Sequence, residues 1–249
     1  MAELLGVAVH QAGVEDIHVL IGETILRKEK AVILHLNIHG VNYAIQMPWL
    51  KNFFNRAKLV FCDGDGVRLG LWILGQKVPP KVTYDRWIWQ LAEFCAAKGY
   101  RLFLLGAKPG IAALAANKLR QRYPALPVAG AQDGYFAKSG SENEKVIAEI
   151  NSACADILIV GLGMPLQEEW LCQNVEKLNC RVFLTAGAVF DYASGNFKRA
   201  PVWMIQWHLE WLFRFSQDPR RLFGRYFLGI PYFFYHVFLA CLNTKKTNS

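Results

Sequence analysis

Short apolar runs alternate with helix-length segments between residues 31 and 185, and this alternation restricts the fold more than any other feature. The runs at residues 31–36, 58–62, 101–105, 156–160 and 181–185 read as strands, and the segments 84–97, 111–122, 142–153 and 166–178 as helices. Strands that are apolar on both faces need cover on both faces. The pattern therefore predicts an α/β fold, a mostly parallel sheet with helices on both sides. The alternation stops near Gly195 to Pro201, which divides the chain into a body, residues 1–195, and an appendage, residues 196–249.

The appendage has a composition of its own. Trp203, Trp207 and Trp211 recur every fourth residue, a spacing that puts three indoles on one helical face. Lys198, Arg199, Arg214, Arg220, Arg221, Arg225, Lys245 and Lys246 are opposed only by Glu210 and Asp218, so much of the formal net charge of +8 lies here. Amphipathic rings beside cations suit the headgroup layer of an anionic membrane. A stripe of this spacing also suits a helix docked on a core, but so many arginines favour the lipid surface. Residues 226–241 are uncharged and strongly apolar, yet this stretch contains Gly229 and Pro231 and falls short of the ~20 residues a span takes. A shallow or re-entrant insertion is expected.

The remaining composition narrows the chemistry. Cys62, Cys95, Cys154, Cys172, Cys180 and Cys241 show no CxxC pairing and mostly sit in apolar runs, so neither zinc nor disulfides are expected and the compartment should be reducing. Residues 1–10 lack the basic region, apolar core and cleavage site of an export signal. A cytosolic location follows as the expectation.

In a parallel sheet, ligands bind beyond the carboxyl ends of the strands. The loops there are Asn37 to Gly40, Asp63 to Gly66, Gly106 to Gly110, Gly161 to Glu168 and Ala186 to Asp191. Glycine lets the backbone approach a ligand, and the helix N-terminus that follows offers free N–H groups to a phosphate. Gly106, Lys108 and Gly110 meet both conditions, as do Gly161 and Gly163. Glycine also ends strands for purely structural reasons, so the signal is weak. Leu166 occupies the place of the third glycine of a dinucleotide fingerprint, and no Walker GKS/T is present, which disfavours redox and P-loop enzymes. Asp63, at a strand end among glycines, is placed to act as a general base. Asp65 fits the cap of a helix starting near Val67 better, and Asp191 reads equally as structural. His35, His39 and His208 lack metal-ligand spacing.

These loops, taken in order, carry a resemblance. Cys62-Asp63-Gly64-Asp65-Gly66-Val67, Gly161-Leu162-Gly163-Met164-Pro165-Leu166-Gln167-Glu168, Gly187-Ala188-Val189-Phe190-Asp191-Tyr192-Ala193-Ser194-Gly195, Arg199-Ala200-Pro201, Glu210-Trp211-Leu212-Phe213-Arg214 and Asp218-Pro219-Arg220-Arg221-Leu222 resemble the WecG/TagA/CpsF glycosyltransferases, glycosyltransferase family 26. The resemblance runs from about Ala31 to about Tyr226. It implies a Rossmann-like catalytic body and an inverting, metal-independent transferase without a cofactor. Such an enzyme moves a sugar, of N-acetylmannosamine type, its uronic acid or glucose, from a UDP-sugar to a polyprenyl-diphosphate-linked acceptor on the cytoplasmic leaflet. Asp63 would be the base. Gln167 would contact the donor, with Asn37, His35, Gly106, Lys108, Gly110, Gly161, Gly163 and Asp191 in the substrate site, and Arg214, Arg221 and Arg225 would neutralise diphosphates.

Two positions depart from the family pattern. His35 stands where members often carry threonine, and Gly224-Arg225 where they carry an arginine pair. His35 thus points towards a different sugar from that of the N-acetylmannosamine enzymes. Two other readings compete with catalysis. One is a membrane-peripheral protein that binds nucleotide-sugar or lipid-linked glycan without turnover, against which Asp63 and Gln167 speak. The other is a nucleic-acid-binding protein, for which the appendage is too apolar. A soluble homo-oligomer whose site is completed when the appendage folds back on a membrane is a further expectation.

Overall fold

The computed structural model describes residues 1–198, 201, 203–204, 207, 210–217 and 219–247. A hairpin of β1 (Ala2–Leu4) and β2 (Val7–Val9) leads into α1 (Val14–Leu26), β3 (Ala31–Leu36), α2 (Ile38–Gln46), α3 (Pro48–Arg56), β4 (Leu59–Cys62) and α4 (Asp65–Ile73). There follow α5 (Tyr84–Lys98), β5 (Leu102–Gly106), α6 (Ile111–Arg122), β6 (Val128–Gln132), α7 (Gly140–Ser152), β7 (Ile157–Gly161), α8 (Leu166–Asn174), β8 (Val182–Thr185) and α9 (Val189–Ser194). The helices Glu210–Gln217, Pro219–Phe223 and Gly229–Thr247 complete the chain.

Six strands form one parallel sheet in the order β4-β3-β8-β7-β5-β6. Side chains alternate across it, so each strand feeds two cores. In β3, Leu34 and Leu36 join a core roofed by α2, α3, α4, α7 and α8, while Ile33 joins the other, under α1, α5, α6 and α9. The expected parallel α/β architecture is therefore what the chain adopts. Two strand features escape the periodicity. β6 is half-buried throughout and reads Val-Ala-Gly-Ala-Gln, because Gly130 must admit the ring of Phe103, whose Cε2 would lie 2.5 Å from an added Cβ. The β1–β2 hairpin is two strands of three residues, below the length at which period two is visible.

The C-terminal helix corrects one expectation. Residues 219–247 are helical without a break, and a π-helical turn at Gly224–Leu228 runs into Gly229–Thr247. Pro231 follows the π-helical turn by three residues, and the helix continues through it. Gly224–Asn243 is thereby a 20-residue helix long and apolar enough to cross a bilayer, with 11% of its most apolar window buried. A length shortfall therefore does not argue against a span, and residues 226–241 do not turn back on themselves. One stripe docks on the body: Phe233 and Val237 are buried, and Asn42 Nδ2 donates to the Gly229 carbonyl at 2.7 Å. Phe233 enters a notch at Gly70, where an added Cβ would lie 2.7 Å from the ring.

Trp203, Trp207 and Trp211 stand out from the surface, 57%, 75% and 43% exposed. The Trp207 N–H donates to the Trp203 carbonyl at 3.0 Å. Arg199, Ala200, His208 and Asp218 lie outside the described residues, as do the side chains of Glu210, Arg214 and Arg221.

Candidate active site

A cleft of about 650 Å³ opens over the carboxyl ends of β4, β3, β8 and β7. Its walls come from His35 and Asn37 after β3, Asp63 after β4, Gly163 after β7 and Gly187 after β8, and Arg225 and Tyr226 close it from the C-terminal helices. Residues far apart in sequence meet because parallel strands bring all their carboxyl ends to one edge. Asp63, Asn37, His35, Gly163 and Arg225 are thus brought together.

Each is held locally. Asp63 leaves β4 with its N–H on the Leu36 carbonyl at 2.9 Å. Asn37 caps α2, its Oδ1 accepting from the Gly40 N–H at 3.0 Å. His35 is 4% exposed, with Nδ1 2.9 Å from the Thr185 carbonyl and 3.2 Å from Thr185 Oγ1. A carbonyl only accepts, so Nδ1 carries the proton in this bond. Burial lowers the His35 pKa against the opposing pull of the Asp63 carboxylate and the Thr185 bond, with Arg225 adding to the lowering. Burial raises Tyr84 and takes Cys62 up to about 12, and in both the Asp63 carboxylate adds to the rise. Asp63 thus sits among a neutral ring, a protonated phenol and an inert thiol.

Asp65 takes a role beside the expected one. Gly64 is the cap residue of α4, and Asp65 opens its first turn with Lys81 Nζ at 2.8 Å and Arg68 at 3.4 Å. Burial would raise its carboxyl, but Lys81 and Arg68 outweigh that and hold it below the usual range. It is tied to a cation of the 81–85 segment and does not line the cleft.

Other expected site residues lie elsewhere. Gly106, Lys108 and Gly110 are outside the cleft wall, because their loop abuts the far side of the strand end at Gly161. The Ala107 N–H donates to the Gly161 carbonyl at 3.0 Å, and a Cβ at Gly106 (φ +138°) would collide with that carbonyl. Gly161 is itself pressed against the Gly187 carbonyl and the Phe190 ring. Gly106 and Gly161 serve close packing of strand ends. Gln167 is fully buried: its Oε1 accepts from the Gly187 N–H at 2.9 Å and its Nε2 donates to Glu168 at 2.7 Å. It shapes the cleft from behind. Asp191 accepts from Asn196 Nδ2 at 2.9 Å and closes the turn after α9.

Sequence reasoning missed Thr83, Tyr84 and Asp85, which line the cleft at the start of α5. Lys81 forms a parallel bridge with Cys62, and Val82 donates to the Cys62 carbonyl at 2.9 Å, so residues 81–85 are stitched beside β4. A one-residue bridge leaves no periodic signal in the sequence. Among the described residues no three His, Cys, Asp or Glu side chains converge as metal ligands.

The family model "Glycosyl transferase WecG/TagA/CpsF family" matches residues 2–247. The N-acetylglucosaminyldiphosphoundecaprenol N-acetyl-beta-D-mannosaminyltransferase of Bacillus spizizenii strain W23 is 30% identical over 189 residues, 76% of this chain and 71% of the relative. The protein of that name from Staphylococcus aureus MRSA252 is 29% identical over 214 residues, 86% and 82% of the two chains.

Proposed function

The chain belongs to the WecG/TagA/CpsF glycosyltransferase family, and we propose that it transfers an N-acetylmannosamine-type sugar from UDP to a polyprenyl-diphosphate-linked N-acetylglucosamine. The two relatives above are named for this acceptor and sugar. The observation that carries the reading is the convergence of Asp63 and Arg225 on one cleft that the apolar C-terminal helices also border.

In this reading Asp63 takes the proton of the acceptor hydroxyl as its oxygen attacks the anomeric carbon. The bond from that carbon to the diphosphate oxygen breaks on the opposite face, its electron pair leaves with UDP, and the configuration inverts. Arg225 faces the diphosphate, with Arg214 and Arg221 as further candidates from the same segment. The glycine loops at Gly163 and Gly187 give it backbone room. Guanidinium and backbone donors take over the charge, so the reaction needs no metal and no cofactor.

The helix Gly224–Asn243 and the exposed indoles hold the cleft at the cytoplasmic leaflet, where the lipid-linked acceptor lies. Gln167 acts through the Gly187 loop. The test is UDP release by purified protein in liposomes containing polyprenyl-diphosphate N-acetylglucosamine, across a panel of UDP-sugars. Release with an N-acetylmannosamine donor supports the reading, and donor binding without release under any pairing contradicts it.

A further inference from the structure

His35 and Tyr84 line the cleft side by side. Tyr84 is 6% exposed and its buried hydroxyl has no hydrogen-bond partner among the described residues, although both Tyr84 and His35 line the cleft. The rings of the two stand edge to face, 5.5 Å between centroids and 77° between planes. With Nδ1 of His35 donating its hydrogen bond to the Thr185 carbonyl, Nε2 of the neutral ring presents a lone pair. The phenol, kept protonated by burial, presents a proton. A buried donor without a partner calls for an account, and this one belongs to a residue that lines the cleft.

We propose that His35 and Tyr84 form a donor–acceptor pair that selects a donor sugar by a neutral substituent, a hydroxyl or an N-acyl group, against a carboxylate. The proposal rests on the glycosyl-transfer reading above. A hydroxyl or a secondary amide can give its hydrogen to Nε2 and accept from the Tyr84 hydroxyl at once. A carboxylate can accept from the phenol, but it has no hydrogen for Nε2, and it would bring a second negative charge beside Asp63. The site thus rejects a uronic acid donor through an unmatched lone pair and like-charge repulsion rather than through size.

The variants Tyr84→Phe, His35→Asn and His35→Gln separate this role from a structural one. Asparagine places an amide N–H near Nδ1 and keeps the Thr185 bond but supplies no acceptor near Nε2, whereas glutamine reaches the Nε2 position with a carbonyl oxygen. Calorimetry with UDP alone, a UDP-N-acetylhexosamine and the corresponding UDP-hexuronate is the measurement, followed by turnover in acceptor liposomes. The wild type should bind the neutral donor at least about tenfold more tightly than the uronate, Y84F and H35N should each bring the ratio to within about threefold, and H35Q should restore most of it. UDP affinity held constant shows that each variant is folded. Equal ratios in the wild type, Y84F and H35N would overturn the proposal, as would preference kept by H35N and lost by H35Q. If the wild type binds but never turns over, the transfer reading fails while the binding ratio still decides the pair.

Discussion

Gln167 grips Gly187 from beneath: its side-chain oxygen accepts the Gly187 N–H at 2.9 Å, while its amide group donates to Glu168 at 2.7 Å. Both residues of α8 are fully buried, so the glutamine sets the shape of a cleft wall without forming it. Gln167→Leu strands the Gly187 N–H and should cost about 1–3 kcal/mol of stability. The loss should show as a lower urea midpoint together with a raised donor KM, and an unchanged KM would remove Gln167 from the control of that loop.

Glu168 gives the fold a pH dependence. Burial pushes its carboxyl from 4.5 up to about 7, against the opposing hydrogen bond from Gln167. The native state therefore holds a proton that the unfolded chain has released, so the contribution of Glu168 to stability is fully present below 4.5 and is lost as pH rises to about 7. The loss amounts to at most about 3 kcal/mol. Urea unfolding of the wild type and Glu168→Gln from pH 5 to pH 8 should show the wild type weakening relative to the variant over that window. Parallel curves would mean that Glu168 is ionised in the native state.

Gly70 and Phe233 form the latch of the C-terminal helix. Gly70→Ala puts a methyl group 2.7 Å from the ring of Phe233, an overpacking that costs about 1–3 kcal/mol. The sheet should stay folded while the helix Gly229–Thr247 becomes susceptible to protease. Simultaneous loss of both, seen by proteolysis and circular dichroism, would show that helix and body unfold as one unit.

The indoles at Trp203 and Trp207 are 57% and 75% exposed and join no core cluster among the described residues. Replacing both with serine should change stability by less than about 0.5 kcal/mol. The same change should lower partition into anionic vesicles several-fold in a flotation assay. A large stability loss would return the stripe to a docking role.

The sheet was legible in the sequence because strands such as Ile157–Gly161 and Val182–Thr185 are buried on both faces, which writes a continuous apolar run. Asp63, Asn37 and Gly163 could be placed in the site because each follows a strand, where parallel topology gathers ligand contacts, whereas His35 came only with the family resemblance. Gly106 and Gly161 share that position, yet they are glycine because strand ends touch there. Composition cannot tell a glycine that admits a phosphate from one that admits a carbonyl. Tyr84 was hidden for another reason: the Cys62–Lys81 bridge that brings it to the cleft is a tertiary contact with no local pattern. Gly229 and Pro231 do not interrupt the helix, which runs on from a π-helical turn at Gly224–Leu228.

The central claim is that Asp63 removes the proton from the attacking hydroxyl, and the most direct measurement is UDP release by Asp63→Asn in acceptor liposomes beside donor binding by calorimetry. Asparagine keeps the size and loses the base. The account predicts a fall in kcat of about 10²–10⁴-fold, with donor affinity within about threefold of the wild type. Turnover that survives the substitution would contradict it and move the base to another group.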